Sequence, residues 1–414
     1  EGADEAVAHY HYRRALGSDD EEAGRWRAEL LAARDRREEA IGRIQRKAKA
    51  GAQVVYPEPA PLASVRARLS PHEALVLYAM LKDVWVALVV TKEEVRIVSL
   101  AGDEEIERAC ELERGVVPGM VRGPGPPEPG SASWEGLDAA VAALRKLLVT
   151  PLALGPGVRR VLLSPHGAIS YLPFCLLFGK REVAYVPSGS TYLHLSEKAP
   201  ARGEGVLALG DPDYGRERNA AALRVHRAGR LVPLPATKEE ARAVGDVVLL
   251  GGSATEAKLA ETLAGRRRWR AVHLACHGLV DTERPTLSSL AITPDGRNDG
   301  FLTCLEVFRM EIPAELVVLS ACETAVGKVY GAEGIVGLTR AFMYAGAPSV
   351  ICSLWKVDDA ATQALMIKFY ELWNPQDGSK GVSAAAALKL AQEHIRSQEK
   401  WSHPYYWAAW VLWG

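Results

Sequence analysis

From Val158 onward the chain alternates short apolar runs with stretches of helical period, and this rhythm restricts the fold more than any other feature. The runs lie at 160–163, 206–209, 247–250, 271–274, 316–319 and 349–354. They are rich in Val, Leu and Ile and too short for buried helices, so they read as strands buried on both faces. Between them, 237–244, 254–263, 334–344 and 359–373 carry apolar residues at helical spacing. Strand, helix, strand with such connections predicts an α/β fold, a mostly parallel sheet flanked by helices. Catalysis and ligand binding in these sheets gather at the carboxyl ends of the strands.

The upstream part reads differently. Residues 1–50 are rich in Ala, Glu and Arg, with Trp26, Leu30, Leu31, Ile41 and Ile44 at roughly helical spacing. Solvated amphipathic helices fit that pattern. Pro57, Pro59 and Pro61 close the segment. Residues 85–90 and 95–100 alternate like strands around Thr91-Lys-Glu-Glu94, a hairpin signal. A Gly- and Pro-rich loop at 119–130 precedes a helical stripe of Trp134, Leu137, Val141, Leu144 and Leu148.

Bulk properties narrow the function classes. A chain of 414 residues exceeds the size at which a single core usually stops growing, so two lobes are expected. Hydrophobic residues at 48% and charged residues at 24% exclude disorder as the dominant state. Lys plus Arg total 50 against 51 for Asp plus Glu, so no global field recruits nucleic acid or an anionic membrane. The apolar stretch from Glu73 to Val90 is interrupted by Lys82 and Asp83, well short of a bilayer span. Six cysteines without regular spacing do not make a disulfide scaffold, and we expect a reducing, cytoplasmic setting. The acidic opening Glu1-Gly-Ala-Asp4 shows no leader and reads as a processed or excised piece.

Two strand ends carry chemistry. Ala271-Val-His273-Leu-Ala275 opens into Cys276-His277-Gly278, and Leu316-Val-Val-Leu319 opens into Ser320-Ala-Cys322-Glu323-Thr324. Cys322 as thiolate could attack a peptide carbonyl, with His277 taking the thiol proton and passing one to the leaving amine. The backbone N–H groups of Gly278 and Cys322 would then receive the oxyanion. His277 and Cys322 stand 45 residues apart, near the about 50 of caspase-type enzymes. His273, deeper in its run, reads as a hydrogen-bonded core histidine, and Cys276 as structural. Cys110, Cys175, Cys304 and Cys352 read as inert core thiols. A zinc set of His273, Cys276, His277 and Cys322 lacks a paired ligand clip, so no metal and no cofactor is expected. Phosphate-loop, dinucleotide and serine-elbow motifs do not occur in the sequence.

These residues sit in longer strings: His273-Leu-Ala-Cys-His277-Gly, Leu319-Ser-Ala-Cys322-Glu-Thr-Ala, Tyr330-Gly-Ala-Glu-Gly-Ile-Val-Gly-Leu338, Ala345-Gly-Ala-Pro-Ser-Val-Ile351 and Ser353-Leu-Trp-Lys-Val357. Together with Leu163-Ser-Pro-His-Gly-Ala-Ile-Ser-Tyr-Leu-Pro-Phe174, Gly210-Asp-Pro212 and His403-Pro-Tyr-Tyr-Trp-Ala-Ala-Trp410 they closely resemble the CHAT family. Its members are caspase-like cysteine peptidases of clan CD, related to separase and usually fused to tetratricopeptide repeats. The resemblance implies His277 as base and Cys322 as nucleophile of an endopeptidase. It implies a repeat-array end over 1–55, a degenerate protease-like lobe over 60–235 and the active lobe over 236–414.

The resemblance also implies a protein substrate, and bacterial defence with a gasdermin-like or neighbouring gene product as target. A regulatory partner would bind the upstream repeats. Trp355, Asp358, Asp359 and Glu323 become candidates for substrate binding. In separase-like members carboxylates after the Leu-Trp motif seat a basic P1 side chain; here Lys356 takes the first such position. Asp358 and Asp359 equally suit capping of the next helix, which leaves P1 preference open. His166-Gly167 echoes His277-Gly278, but no cysteine follows at the matching strand, so His166 reads as a turn residue. A scaffold without catalysis, or an amidase acting on a small amide, would share much of this sequence.

Overall fold

The computed structural model describes residues 59–414 except 82–83, 111–131, 198–201, 216–230, 282–283, 321, 324–332, 356 and 376–378; before them it describes only Arg25, Glu29 and Ala32, all helical. The remainder of the 1–55 segment, the 119–130 loop, Ala321 and Lys356 lie outside the described residues. By its contacts the chain divides into Glu1–Glu58 and Pro59–Gly414, and the account below concerns the second unit.

Its strands are β1 (Glu73–Leu81), β2 (Val84–Val90), β3 (Val95–Gly102), β4 (Arg160–Ser164), β5 (Glu182–Tyr185), β6 (Val206–Pro212), β7 (Val247–Gly251), β8 (Trp269–Ala275), β9 (His277–Leu279), β10 (Ser289–Ala291), β11 (Phe301–Thr303), β12 (Ala314–Leu319), β13 (Cys322–Glu323), β14 (Ser349–Ser353) and β15 (Trp410–Trp413). One 11-stranded sheet runs β3-β2-β1-β4-β5-β15-β14-β12-β8-β6-β7, and a four-stranded sheet runs β11-β10-β9-β13. The large sheet is parallel except for the β1-β2-β3 meander and the β14–β15 pair. Leu316, Val317 and Val318 of β12 are fully buried, as a strand covered on both faces requires. The helices of the second half are α1 (Pro235–Val244), α2 (Glu256–Ala264), α3 (Cys304–Arg309), α4 (Glu333–Ala345), α5 (Asp359–Trp373) and α6 (Ala384–Arg396). Helix α5 packs against both α1 and α6, and α3 packs against α4.

The six expected runs are β4, β6, β7, β8, β12 and β14, and the hairpin is β2–β3. Three strands of the large sheet had no sequence expectation. β1 is a nine-residue apolar run in which helix and buried strand look alike. β5 and β15 are four residues each; they join the half-sheets through Tyr185↔Trp413, and Gly414 N–H donates to the Tyr185 carbonyl. The sheet does not break near residue 235: β6, from before that position, pairs with β7 and β8 from after it. His166, expected in a turn, is exposed and in extended backbone. It precedes a 3-10 turn at Gly167–Tyr171 without capping it. Among the described residues no helix is long and apolar enough to cross a membrane.

The register of β8 against β12 matters most. Trp269↔Ala314, Val272↔Val317 and Leu274↔Leu319 are partners, a constant offset. Both strands then leave the large sheet, after Ala275 and Leu319, and re-pair in the small one as β9 and β13. There Cys322↔His277 and Glu323↔Gly278 keep the same offset. The 45-residue spacing is therefore a strand register fixed by core residues. A slip by one position would turn every core side chain to the wrong face.

Candidate active site

His277 opens β9 at the carboxyl end of β8. The ring is 7% exposed. Its Nε2 lies 2.8 Å from the Val232 carbonyl oxygen. A carbonyl only accepts, so Nε2 carries the hydrogen and, in the neutral ring, Nδ1 is the basic nitrogen. The Tyr214 hydroxyl accepts the backbone N–H of His277 at 3.3 Å, and the two rings lie 5.2 Å apart. Tyr214 also packs with Leu279, Ala291 and Phe301, an apolar cluster that seats the small sheet.

Tyr214 is held from below. The preceding Asp211 adopts φ +44°, in the left-handed region that Asp tolerates better than most residues. Its N–H donates to Thr237 Oγ1 at 2.8 Å, while Asp213 N–H donates to Thr293 Oγ1 at 2.8 Å.

The backbone of Cys322 stands beside His277 as its partner in the parallel β9–β13 ladder. Gly278, expected as an oxyanion donor, partners Glu323 on one side and Leu290 on the other, in the interior of the small sheet. Of the residues expected around the substrate, Trp355 is 7% exposed and its indole N–H donates to the Tyr405 carbonyl at 3.0 Å. Asp358 caps α5, its Oδ1 accepting from Ala361 N–H at 2.9 Å. Asp359 is exposed in the first turn of α5. All three follow β14, two strands from β8 across β12.

Behind the pair lies a buried polar chain. Glu240 Oε1 accepts from His273 Nε2 at 3.0 Å and from Ser320 Oγ at 2.6 Å. His273 Nδ1 meets the Tyr370 hydroxyl at 3.4 Å. Burial, and then the Glu240 charge, hold Tyr370 well above the ordinary tyrosine range, so its hydroxyl stays protonated. Nε2–H donates to the carboxylate, and the Tyr370 hydroxyl bonds Nδ1. His273 is thus a buried histidine hydrogen-bonded at both ring nitrogens, as its position in the apolar run suggested.

Among the described residues, Cys110, Cys175, Cys276, Cys304 and Cys352 are thiols, not disulfides. Burial pushes Cys175 and Cys304 up to about 12, which keeps them protonated and unreactive.

Val232, Tyr214, Glu240 and Ser320 had no sequence expectation. Val232 acts through a carbonyl, which every residue possesses. Glu240 left a trace: it shares the buried face of α1 with Thr237, Ala241 and Val244, an acidic residue within an apolar stripe.

A mostly parallel sheet flanked by helices, with a histidine and a cysteine at adjacent strand ends, is a caspase-like fold. Separase of Saccharomyces cerevisiae, in its complex with securin, superposes with a TM-score of 0.53 at 10% identity, covering 85% of this chain and 30% of that one. The CHAT domain family matches residues 138–414, and the chain belongs to it. Tetratricopeptide repeat protein 28 of Homo sapiens is 28% identical, with 66% of this chain and 13% of that protein covered. Its Mus musculus counterpart is 26% identical, with 75% and 15% covered. The chain therefore spans only a small part of these relatives.

Proposed function

We propose that this chain is a cysteine endopeptidase in which Cys322 is the nucleophile and His277 the general base. The observation that supports it most is the register pairing of Cys322 with His277, beside an imidazole whose Nε2–H is engaged by a backbone carbonyl. Nδ1 then takes the thiol proton, and the thiolate adds to a peptide carbonyl. The imidazolium protonates the departing amine, and water hydrolyses the thioester by the same route reversed. The N–H groups of Gly278 and Cys322 are the proposed oxyanion donors.

A cytoplasmic setting is supported by the five thiols. The remaining expectations rest on the family resemblance: a gasdermin-like or neighbouring protein as substrate, a role in defence, and a partner bound through upstream repeats. The same resemblance supports a degenerate first lobe.

A proteome-derived peptide library digested by wild type, Cys322→Ala and His277→Ala tests the reading. Wild type should generate new N-termini and read out P1, while both variants fall to background. Cleavage retained by folded Cys322→Ala overturns it. The second reading, a binding scaffold, is favoured by the relatives' name, a repeat protein. It predicts no wild-type termini.

A further inference from the structure

Glu240 is 2% exposed. A carboxylate in such a place is costly unless donors meet its charge, and an apolar residue of similar shape often serves stability as well. Here the donors come from the two strands that deliver the proposed pair. His273 stands within β8, four residues before His277 and laddered to Val318, and Ser320 directly follows β12, two residues before Cys322. The two strands leave the large sheet after Ala275 and Leu319 and rejoin in the small one at His277↔Cys322. The helix that carries Glu240 begins three residues after Val232, whose carbonyl holds the His277 ring.

We propose that Glu240 is a positioning residue, whose one oxygen, bonded to both His273 and Ser320, clamps the β8 and β12 ends across the junction and so sets His277 against Cys322. Through α1 it also fixes the Val232 carbonyl on the imidazole. The proposal rests on the peptidase reading and adds to it the group that holds the pair. The bonds that carry the role of Glu240 run to His273 and Ser320. Glutamine should serve in part, because its carbonyl oxygen still accepts from both Ser320 and His273, without the charge.

The test uses the full chain and two readouts. One is alkylation of Cys322 by iodoacetamide near neutral pH, followed by mass spectrometry, with buried Cys276 and Cys304 reporting any opening of the fold. The other is kcat and KM on a peptide from the proteome digest. Glu240→Ala should slow Cys322 alkylation about tenfold and lower kcat about 100-fold, with KM within about twofold, as misplacement of a reacting pair does. Glu240→Gln should recover most of the kcat, and Ser320→Ala should fall between.

The clamp is overturned if Glu240→Ala keeps wild-type alkylation and kcat, or if Glu240→Gln loses as much as Glu240→Ala. Should Glu240→Ala expose Cys276 and Cys304, Ser320→Ala and Glu240→Gln decide: wild-type alkylation in Ser320→Ala overturns the clamp, and slowing in Ser320→Ala with recovery in Glu240→Gln upholds it. Failure of the peptidase reading looks different, as cleavage that survives Cys322→Ala or is missing from wild type. The alkylation readout still tests the clamp in either case.

Discussion

At the residue scale, His277 is held by a carbonyl at Nε2 and a tyrosine hydroxyl at its N–H, and only the second can be removed by a side-chain change. Tyr214→Phe keeps the ring contact but deletes the acceptor for a buried N–H. It should lower stability by about 1 kcal/mol in urea denaturation; cleavage should fall with it. Asp358 calls for a similar separation of roles, because it caps α5. Asp358→Ala should cost about 1 kcal/mol through the lost cap, and Asp358→Asn almost nothing. Loss of cleavage after basic residues in Asp358→Asn would show a P1 role; an unchanged P1 profile would leave Asp358 as a cap alone.

At the scale of elements, the site follows from the register of β8 and β12 and from the seating of α1 on β6. Gly210 in β6 permits that seating: a Cβ there would come within 2.4 Å of the Thr237 carbonyl oxygen in α1. Gly210→Ala should therefore push α1 outward, costing about 1–3 kcal/mol by overpacking and loosening Glu240 and the Val232 carbonyl together. Thermal melting and the Cys322 alkylation rate should both respond. The strands of the parallel half and the positions of His277 and Cys322 were legible because buried strands announce themselves as apolar runs and their ends as breaks. The small sheet was not, since β9, β10, β11 and β13 are two or three residues long, too short for any periodicity. Nor could spacing reveal Glu240 or Ser320, whose roles depend on contacts 33 and 80 residues apart in sequence.

At the scale of the molecule, the two half-sheets meet at β15, and the approach to that strand runs through His403, whose Nδ1 accepts the Tyr405 N–H at 3.0 Å. Burial holds His403 down at about 4, against about 6.5 for an unfolded histidine. Between those values the unfolded chain binds more protons, so the stability this ring contributes is complete above pH ~6.5 and is lost as pH falls toward about 4. With allowance for partial solvation the loss should be about 2 kcal/mol. His403→Asn retains a capping acceptor and should flatten that limb of a melting-temperature profile; a profile identical to wild type would remove His403 from the account.

The most direct test of the central claim asks whether His277 and Cys322 act as one unit. With iodoacetamide near pH 6–7, Cys322 should react at least about tenfold faster than the other five cysteines of the chain. His277→Ala should abolish that advantage while leaving the melting temperature close to wild type. A Cys322 that reacts no faster than its neighbours, or whose rate ignores His277→Ala, would contradict the assignment.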